Sequence, residues 1–438
     1  MKLRSLARFA SALLAATLLP ACGGGGAGGA SSEGGVVLDG NPTTGGGGGA
    51  AGGETPTTPP PSIVKTRVVV DPSTPQALEE LCKAKDATIL GECEGTDYCI
   101  VEIPKGTKIE DFLKDLEDEP CVEDAQPDED VKFPEGDGTT LPAFVEEDLS
   151  GIRAQVAVDR IGARAAQSRG RRGSGAVVAV IDTGVDFTHP SLAGRLLPTG
   201  YDFIGGDNDP TDEGNGRDDN RDGHVDEGVG HGTFVASLVL AVAPGCKIMP
   251  IRALDGDAMG TAAGVARAIV WAAQNGATVI NFSGGLDRDL RLIRQAVEYA
   301  QARNVPVVAS AGNRAGAVDF PASHPATIAV TSVDLLDVRS GFAAFGPQVD
   351  FVAPGEDLLG AHPLSPSGVA RWSGTSFAAA LASGGFALVM AGIEPVPYAE
   401  HVAWLQATAV PVDAVNPDFA GGLGAGRLDL DAATVPED

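Results

Sequence analysis

Four residues of this chain are of the kinds that acyl transfer uses, and each stands where an apolar run ends or a helix would begin. Asp182 closes the strand-like run of "VVAVIDTG". His231 sits between two glycines in "GHGTFVAS". Asn313 ends "VVASAGN", and Ser376 opens the small-residue stretch "SGTSFAAALASGG". A serine hydroxyl is a weak nucleophile and needs a base within hydrogen-bond reach. An imidazole titrates near neutral pH, so it can take that proton and later return it. A buried carboxylate fixes the imidazole tautomer and stabilises the imidazolium that forms. The oxyanion of the tetrahedral intermediate needs fixed donors, which a backbone N–H at a helix start and an asparagine amide can supply. Singly, each residue has a plain structural use: a strand-end cap, a helix-start histidine, a turn asparagine. In the order Asp, His, Asn, Ser on one sheet they point to covalent hydrolysis.

The elements that must position them are legible. The runs "AVVAVID", "CKIMPIRAL", "ATVINFSG", "VPVVASAG" and "ATIAVTSV" are apolar throughout rather than alternating. Strands of that kind are buried on both faces, as in a parallel sheet. Helical stretches such as "GTAAGVARAIVWAAQNG" and "RLIRQAVEYAQARN" lie between them. Residues 150–438 are therefore expected to form a doubly wound α/β domain with a mostly parallel sheet, whose functional groups gather at the carboxyl ends of the strands. The helix after Ser376 carries almost no bulk, which suits one that must lie deep against its neighbours.

Upstream the composition changes twice. Residues 1–22 join Lys2, Arg4 and Arg8 to a short apolar run, the pattern of a secretory signal peptide. The run ends at Cys22, which fits either a lipoprotein signal with Cys22 acylated or ordinary cleavage near Ala21. Residues 23–61, rich in Gly, Pro, Ser and Thr, read as a disordered linker. Residues 62–134 show the order β-α-β-β-α-β of a small ferredoxin-like α+β unit, with a hairpin near Gly95. Its clustered Cys82, Cys93, Cys99 and Cys121 predict two disulfides of undetermined pairing. Cys246 reads as a small buried apolar residue. A formal charge of −28 argues against nucleic acid or anionic lipid surfaces as partners.

The segments "VAVIDTGVDFTHPSL", "GHGTFVAS", "ASAGN" and "SGTSFAAALASG", with "FPASHPATIAVTSVD", "FVAPGEDLLGAHP" and "GGLGAGRLDLDAA", resemble the subtilisin-like serine peptidases over about residues 150–433. The resemblance implies an exported serine endopeptidase with Asp182 as orienting acid, His231 as base and acid, Ser376 as nucleophile and Asn313 as oxyanion donor. It implies a cleft lined by Ser283, Gly284, Gly285 and Gly312, faced by Gly256–Gly260. "VEDAQPDEDVKF" is similar to the close of the family's propeptide, so residues 62–134 are expected to inhibit the cleft and assist folding, with autocatalytic removal within a linker at 135–149. A lipid anchor at Cys22 would lie upstream of that cut, leaving the peptidase free to be secreted from the cell envelope. Protein or peptide substrates and the chain's own propeptide are the implied partners. Three residues depart from the family pattern: Phe234 and Phe377 replace His and Met, and Ala380 replaces Pro. An alternative of another class is a catalytically silent surface-binding protein. An α/β-hydrolase esterase is disfavoured by the Asp-His-Ser order and the lack of a G-x-S-x-G elbow.

Just before His231, "DDNRDGHVDEG" places Asp218, Asn220, Asp222 and Asp226 with the spacing of an Asp-rich Ca²⁺ loop. Val229 stands where an EF-hand would carry its bidentate Glu, so the likeness is to the shorter loops of thrombospondin-type repeats. A bound Ca²⁺ would brace the approach to His231. His189 reads as a turn residue, and His324, His362 and His401 carry no functional signal.

Overall fold

The computed structural model describes residues 66–92, 94–133, 141–391 and 396–435, and every structural statement below concerns these. Cys22, the signal segment, the 23–61 linker and Cys93 lie outside them.

The first elements are β1 (Arg67–Pro72), α1 (Pro75–Ala84), β2 (Thr88–Glu92), β3 (Cys99–Glu102), α2 (Ile109–Glu117) and β4 (Val122–Pro127). The strands form an antiparallel sheet in the order β2-β3-β1-β4. Period-two alternation divides β1 between two cores. Val68 and Val70 pack with Leu78, Leu81, Phe112 and Leu116 of the two helices. Val69 faces the other way and joins the core of the larger domain.

Cys82, Cys99 and Cys121 carry free thiols, so the two disulfides expected from the cysteine cluster do not form among them. Cys82 on α1 and Cys99 on β3 are instead part of the apolar core. Burial pushes the Cys82 thiol up to about 11 and raises that of Cys99. They serve there as small apolar side chains.

The tail continues as β5 (Asp130–Lys132) to Phe133, the last described residue before 141. The chain is described again from residue 141. β6 (Ala143–Phe144) is already a strand of the larger domain, although it falls within the stretch expected as a linker. Short helices α3 (Ser150–Ala154), α4 (Val156–Arg160) and α5 (Ala163–Ser168) follow.

The main sheet contains β7 (Val177–Asp182), β8 (Tyr201–Asp202), β9 (Lys247–Arg252), β11 (Val279–Phe282), β12 (Val307–Ser310), β13 (Thr327–Val333) and β14 (Phe351–Pro354). The short β10 (Met259–Thr261) pairs with β5 instead. The seven strands are parallel throughout, in the order β14-β13-β12-β11-β7-β9-β8. One face, with Val178, Val180, Ile248, Val308 and Val330, packs on α6 (His231–Val242) and α9 (Thr375–Met390). The other, with Ala179, Ile181, Met249, Ile280 and Phe282, packs on α7 (Ala262–Gln274) and α8 (Arg291–Ala302). This two-sided burial is why the strands read as unbroken apolar runs. A smaller antiparallel sheet joins β15 (Leu358–Ala361), β16 (Val369–Trp372) and β6. Helices α10 (Tyr398–Thr408) and α11 (Leu430–Ala433) close the chain. No helix among the described residues is long and apolar enough to cross a membrane.

The small residues of α9 have a measurable purpose. A Cβ on Gly384 would lie 2.7 Å from the Val242 side chain and 2.9 Å from the Val239 carbonyl oxygen. Only glycine there lets α9 approach α6, and the two helices carry Ser376 and His231 on their first turns. Ser383 on α9 donates to Asn281 Oδ1 at 2.8 Å, and Asn281 Nδ2 donates to Ser283 at 3.0 Å. This buried chain ties α9 to the end of β11.

Candidate active site

Asp182 is the last residue of β7 and His231 the first of α6. His231 Nδ1 donates to Asp182 Oδ1 across 2.7 Å, with both side chains buried. The Thr183 N–H donates to the same oxygen at 2.8 Å, which holds the carboxylate in orientation. Gly230 turns the chain into α6 with φ of 98°. A Cβ there would sit 2.7 Å from the His362 ring, so the turn demands glycine for both conformation and space.

Ser376 is buried on the first turn of α9, and its Oγ donates to the Ser283 carbonyl at 3.3 Å. Asn313, three residues past β12, accepts from the Thr375 N–H at 3.0 Å and from the Thr375 hydroxyl at 2.8 Å. Both bonds fall on Oδ1, which orients the amide with Nδ2 as its donor end. Asn313 and the start of α9 are therefore locked together. This geometry can polarise a carbonyl from one side while an activated hydroxyl approaches it.

The two departures at Phe234 and Phe377 are one feature. Their rings pack 4.6 Å apart, centroid to centroid, and both lie against Trp372 at 5.9 and 5.5 Å. Trp372 and Phe377 each stand 5.4 Å from the His231 ring. An apolar wall thus surrounds the imidazole where the family pattern has a second histidine. His362, read from sequence as carrying no signal, is buried beside Trp372. Burial, then the charges of His231 and His189, push it down to about 4, so it stays neutral beside the site. His189 bonds Ser191 and the Gly368 carbonyl, each at 2.8 Å, and closes a turn as expected.

A second carboxylate stands behind Asp182. Asp212 accepts from the Gly230 N–H at 2.9 Å, and burial pushes it up to about 7. It ties the acidic loop to the turn that delivers His231.

The cleft is filled by the chain's own tail. β5 pairs antiparallel with β10 on one side. On the other, Lys132 and Gly285 exchange hydrogen bonds of 3.3 and 2.7 Å. Gly285 thus lies against the tail, and Gly284 before it must lack a side chain because the Phe282 ring lies 2.5 Å from where its Cβ would be. Phe133 stacks flat on His231, with centroids 4.1 Å apart and an interplanar angle of 8°. Asp128, just upstream, accepts from the Ala263 N–H at 2.9 Å, and the Glu129 carbonyl accepts from the Ala262 N–H at 2.8 Å. The tail therefore caps the amino end of α7. Phe133, Trp372 and Asp128 carry no local sequence signal, since each acts through a partner far along the chain.

In the loop before His231, Asp218 accepts from the Asp222 and Gly223 N–H groups. Asn220 Oδ1 accepts from the Asp222 N–H, and Asp222 from that of His224. Asp226 turns to the N–H groups of Asn215 and Gly216 at 2.8 and 2.7 Å. Glu227 Oε2 is buried without a partner, and burial pushes this carboxyl up to about 7, with the charges of Asp257 and Asp222 adding to the effect. Among the described residues no three acidic, His or Cys side chains converge as a formed metal site. The unpartnered buried oxygen amid carboxylates nevertheless fits a hard cation.

With this geometry in view, the chain belongs to the subtilase family of serine peptidases. The family profile matches residues 173–426, more than half of the chain. Among individual proteins, it is 40% identical over 227 residues to a thermophilic serine proteinase of Bacillus sp. (strain AK1), covering 49% of this chain and 52% of that one. The match thus spans about half of that relative's length. It is 39% identical over 217 residues to thermitase of Thermoactinomyces vulgaris, covering 47% of this chain and 71% of thermitase. The crystal structure of fervidolysin from Fervidobacterium pennivorans, a keratinolytic enzyme related to subtilisin, superposes with a TM-score of 0.71 at 22% identity, over 85% of this chain and 61% of that one. That likeness is one of fold.

Proposed function

We propose that the chain is an exported serine endopeptidase made as a self-inhibited precursor. The observation that carries this reading is the buried Asp182–His231 bond with the chain's own Phe133 stacked on the imidazole. In the proposed reaction His231 Nε2 takes the Ser376 hydroxyl proton as Oγ bonds to the scissile carbonyl carbon. Asn313 Nδ2 and the Ser376 N–H hold the oxyanion. The imidazolium, held by Asp182, then gives its proton to the leaving amine as the peptide bond breaks. Water, deprotonated by the same histidine, releases the acyl group from Ser376.

Residues 62–134 are the inhibitor in this scheme. Their strand β5, between β10 and Gly285, holds the place of a substrate. Phe133 lies on His231 and Ala143 is already in the peptidase sheet, so the processing cut is assigned between them, in 134–142. A signal peptide at 1–22, with or without a lipid on Cys22, would export the precursor, and the cut would free the peptidase from any anchor. Fluorophosphonate labelling of the full chain, with mass mapping of the adduct and of new N-termini, tests the reading. An adduct on Ser376 and a cut in 134–142 are expected. A folded chain whose Ser376 takes no label after the tail is displaced would support the silent binding protein instead.

Two further outcomes follow. Phe133→Ala should weaken inhibition by the prodomain about a hundredfold, since the ring contributes about 3 kcal/mol through burial and stacking. The inhibition constant of residues 62–134 on processed peptidase measures this; a change under threefold would remove Phe133 as the anchor. Ca²⁺ held by Asp218, Asn220, Asp222 and Asp226, with Glu227 beside them, would offset their mutual repulsion and brace the approach to His231. Chelation should lower the Tm of the Ser376→Ala chain, a loss of about 3 kcal/mol if the ion is present at a hundredfold its Kd. An unchanged Tm would exclude a structural ion.

A further inference from the structure

We propose that Asp319 selects the residue immediately before the cut, and that this residue is lysine or arginine. The proposal rests on the serine-peptidase reading above and names its substrate class.

A cavity of about 350 Å³ opens beside the tail, lined among others by Phe133, Gly285, Asn313, Arg314 and Asp319. The strand register says which substrate side chain enters it. Lys132 pairs with Gly285, so antiparallel pairing sets the position two residues further on opposite Ser283. The Ser283 carbonyl lies 3.3 Å from Ser376 Oγ, so that position presents the carbonyl to be attacked. Side chains alternate along an extended chain. The residue in the place of Phe133 faces His231, and the next one turns the opposite way, towards Gly285, Asn313 and the cavity.

Asp319 lies between the two backbone segments that wall this cavity. A Cβ on Gly312 would strike the Asp319 carboxylate, and one on Gly285 would come within 3.1 Å of its Cβ. Both walls are glycine where this side chain passes, and the side chain is 12% exposed. A carboxylate at the inner end of a slot bounded by backbone is the arrangement that selects a cationic side chain, because the pair is shielded from water and charge-assisted. The protein supplies its own example of such a cation. Arg314 reaches in from the rim, half exposed, and places Nη2 2.6 Å from Asp319 Oδ1 while its other nitrogen meets Asp287. A substrate lysine or arginine takes over Asp319, and Arg314 keeps Asp287.

The test uses peptides identical except for Lys, Leu or Glu after a phenylalanine, with the bond cut identified by mass spectrometry. Processed wild type should favour Lys over Leu by tenfold or more in kcat/KM. Asp319→Asn should collapse that ratio towards one, and Arg314→Ala should raise it. Ratios within one preparation do not depend on how much of a variant folds. Preference for Leu or Glu, or a ratio that Asp319→Asn leaves unchanged, overturns the proposal. Fluorophosphonate labelling of the same samples separates the two levels. Label on Ser376 with the wrong preference sinks the role of Asp319 alone. No label and no cutting sinks the peptidase reading with it.

Discussion

Ser376→Ala is expected to leave the full chain uncut and to lower kcat/KM on any peptide by about six orders of magnitude. The expectation follows from where the hydroxyl sits. Ser376 is buried on the first turn of a sixteen-residue helix, and that helix is fixed by Gly384 against α6 and by Ser383 against Asn281. None of these contacts uses the Ser376 hydroxyl, so the alanine chain should fold with its cleft intact. The substitution removes one nucleophilic oxygen, and the remaining oxyanion donors supply only residual catalysis. The measurement is the N-terminus of the purified chain by mass spectrometry, beside turnover of a fluorogenic peptide. Wild type should show a new N-terminus in 134–142, and the variant the intact junction. The same cut in purified variant chain would mean that another protease processes the precursor and that self-cutting plays no part.

Much of this arrangement was legible in the sequence because the chemistry restricts residue type at particular strand ends. Asp182 after "VVAVI" and Asn313 after "VVASAG" were readable because two-sided burial leaves runs with no polar residue until the sheet ends. The close approach of α9 was readable from its lack of bulk. What escaped has one physical cause: it consists of partnerships between residues far apart in the chain. Phe234 and Phe377 read as two separate departures, whereas their packed rings form one wall with Trp372. Phe133 reads as an ordinary residue before a proline, and only the tertiary structure lays it on His231. The cysteine cluster misled because spacing cannot tell a staple from a thiol buried in the core, where Cys82 and Cys99 lie. Asp319 had no signal at all, since its meaning depends on two glycines in the segments that follow β11 and β12.

Asp182→Asn should lower kcat by about ten-thousandfold with little change in KM or stability. The geometry makes this substitution more informative than it is in general. Asp182 Oδ1 accepts from both the Thr183 N–H and His231 Nδ1, while Oδ2 is buried without a partner. The Thr183 N–H favours an oxygen in the Oδ1 place, so asparagine can keep its carbonyl there and hold the imidazole in the same orientation and tautomer. What it cannot keep is the charge. In a site where His231 and Asp182 are both buried, the imidazolium of the transition state then lacks its counter-charge, and the low local dielectric makes that loss large. Asp212 cannot replace it. Its Oδ2 is engaged by the Gly230 N–H, and burial favours its protonated form up to about pH 7. The decisive measurement is pre-steady-state acylation of Asp182→Asn beside Asp182→Ala. If the negative charge carries the role, both variants acylate slowly. If orientation alone carries it, asparagine stays within tenfold of wild type while alanine collapses, and the electrostatic account of Asp182 fails.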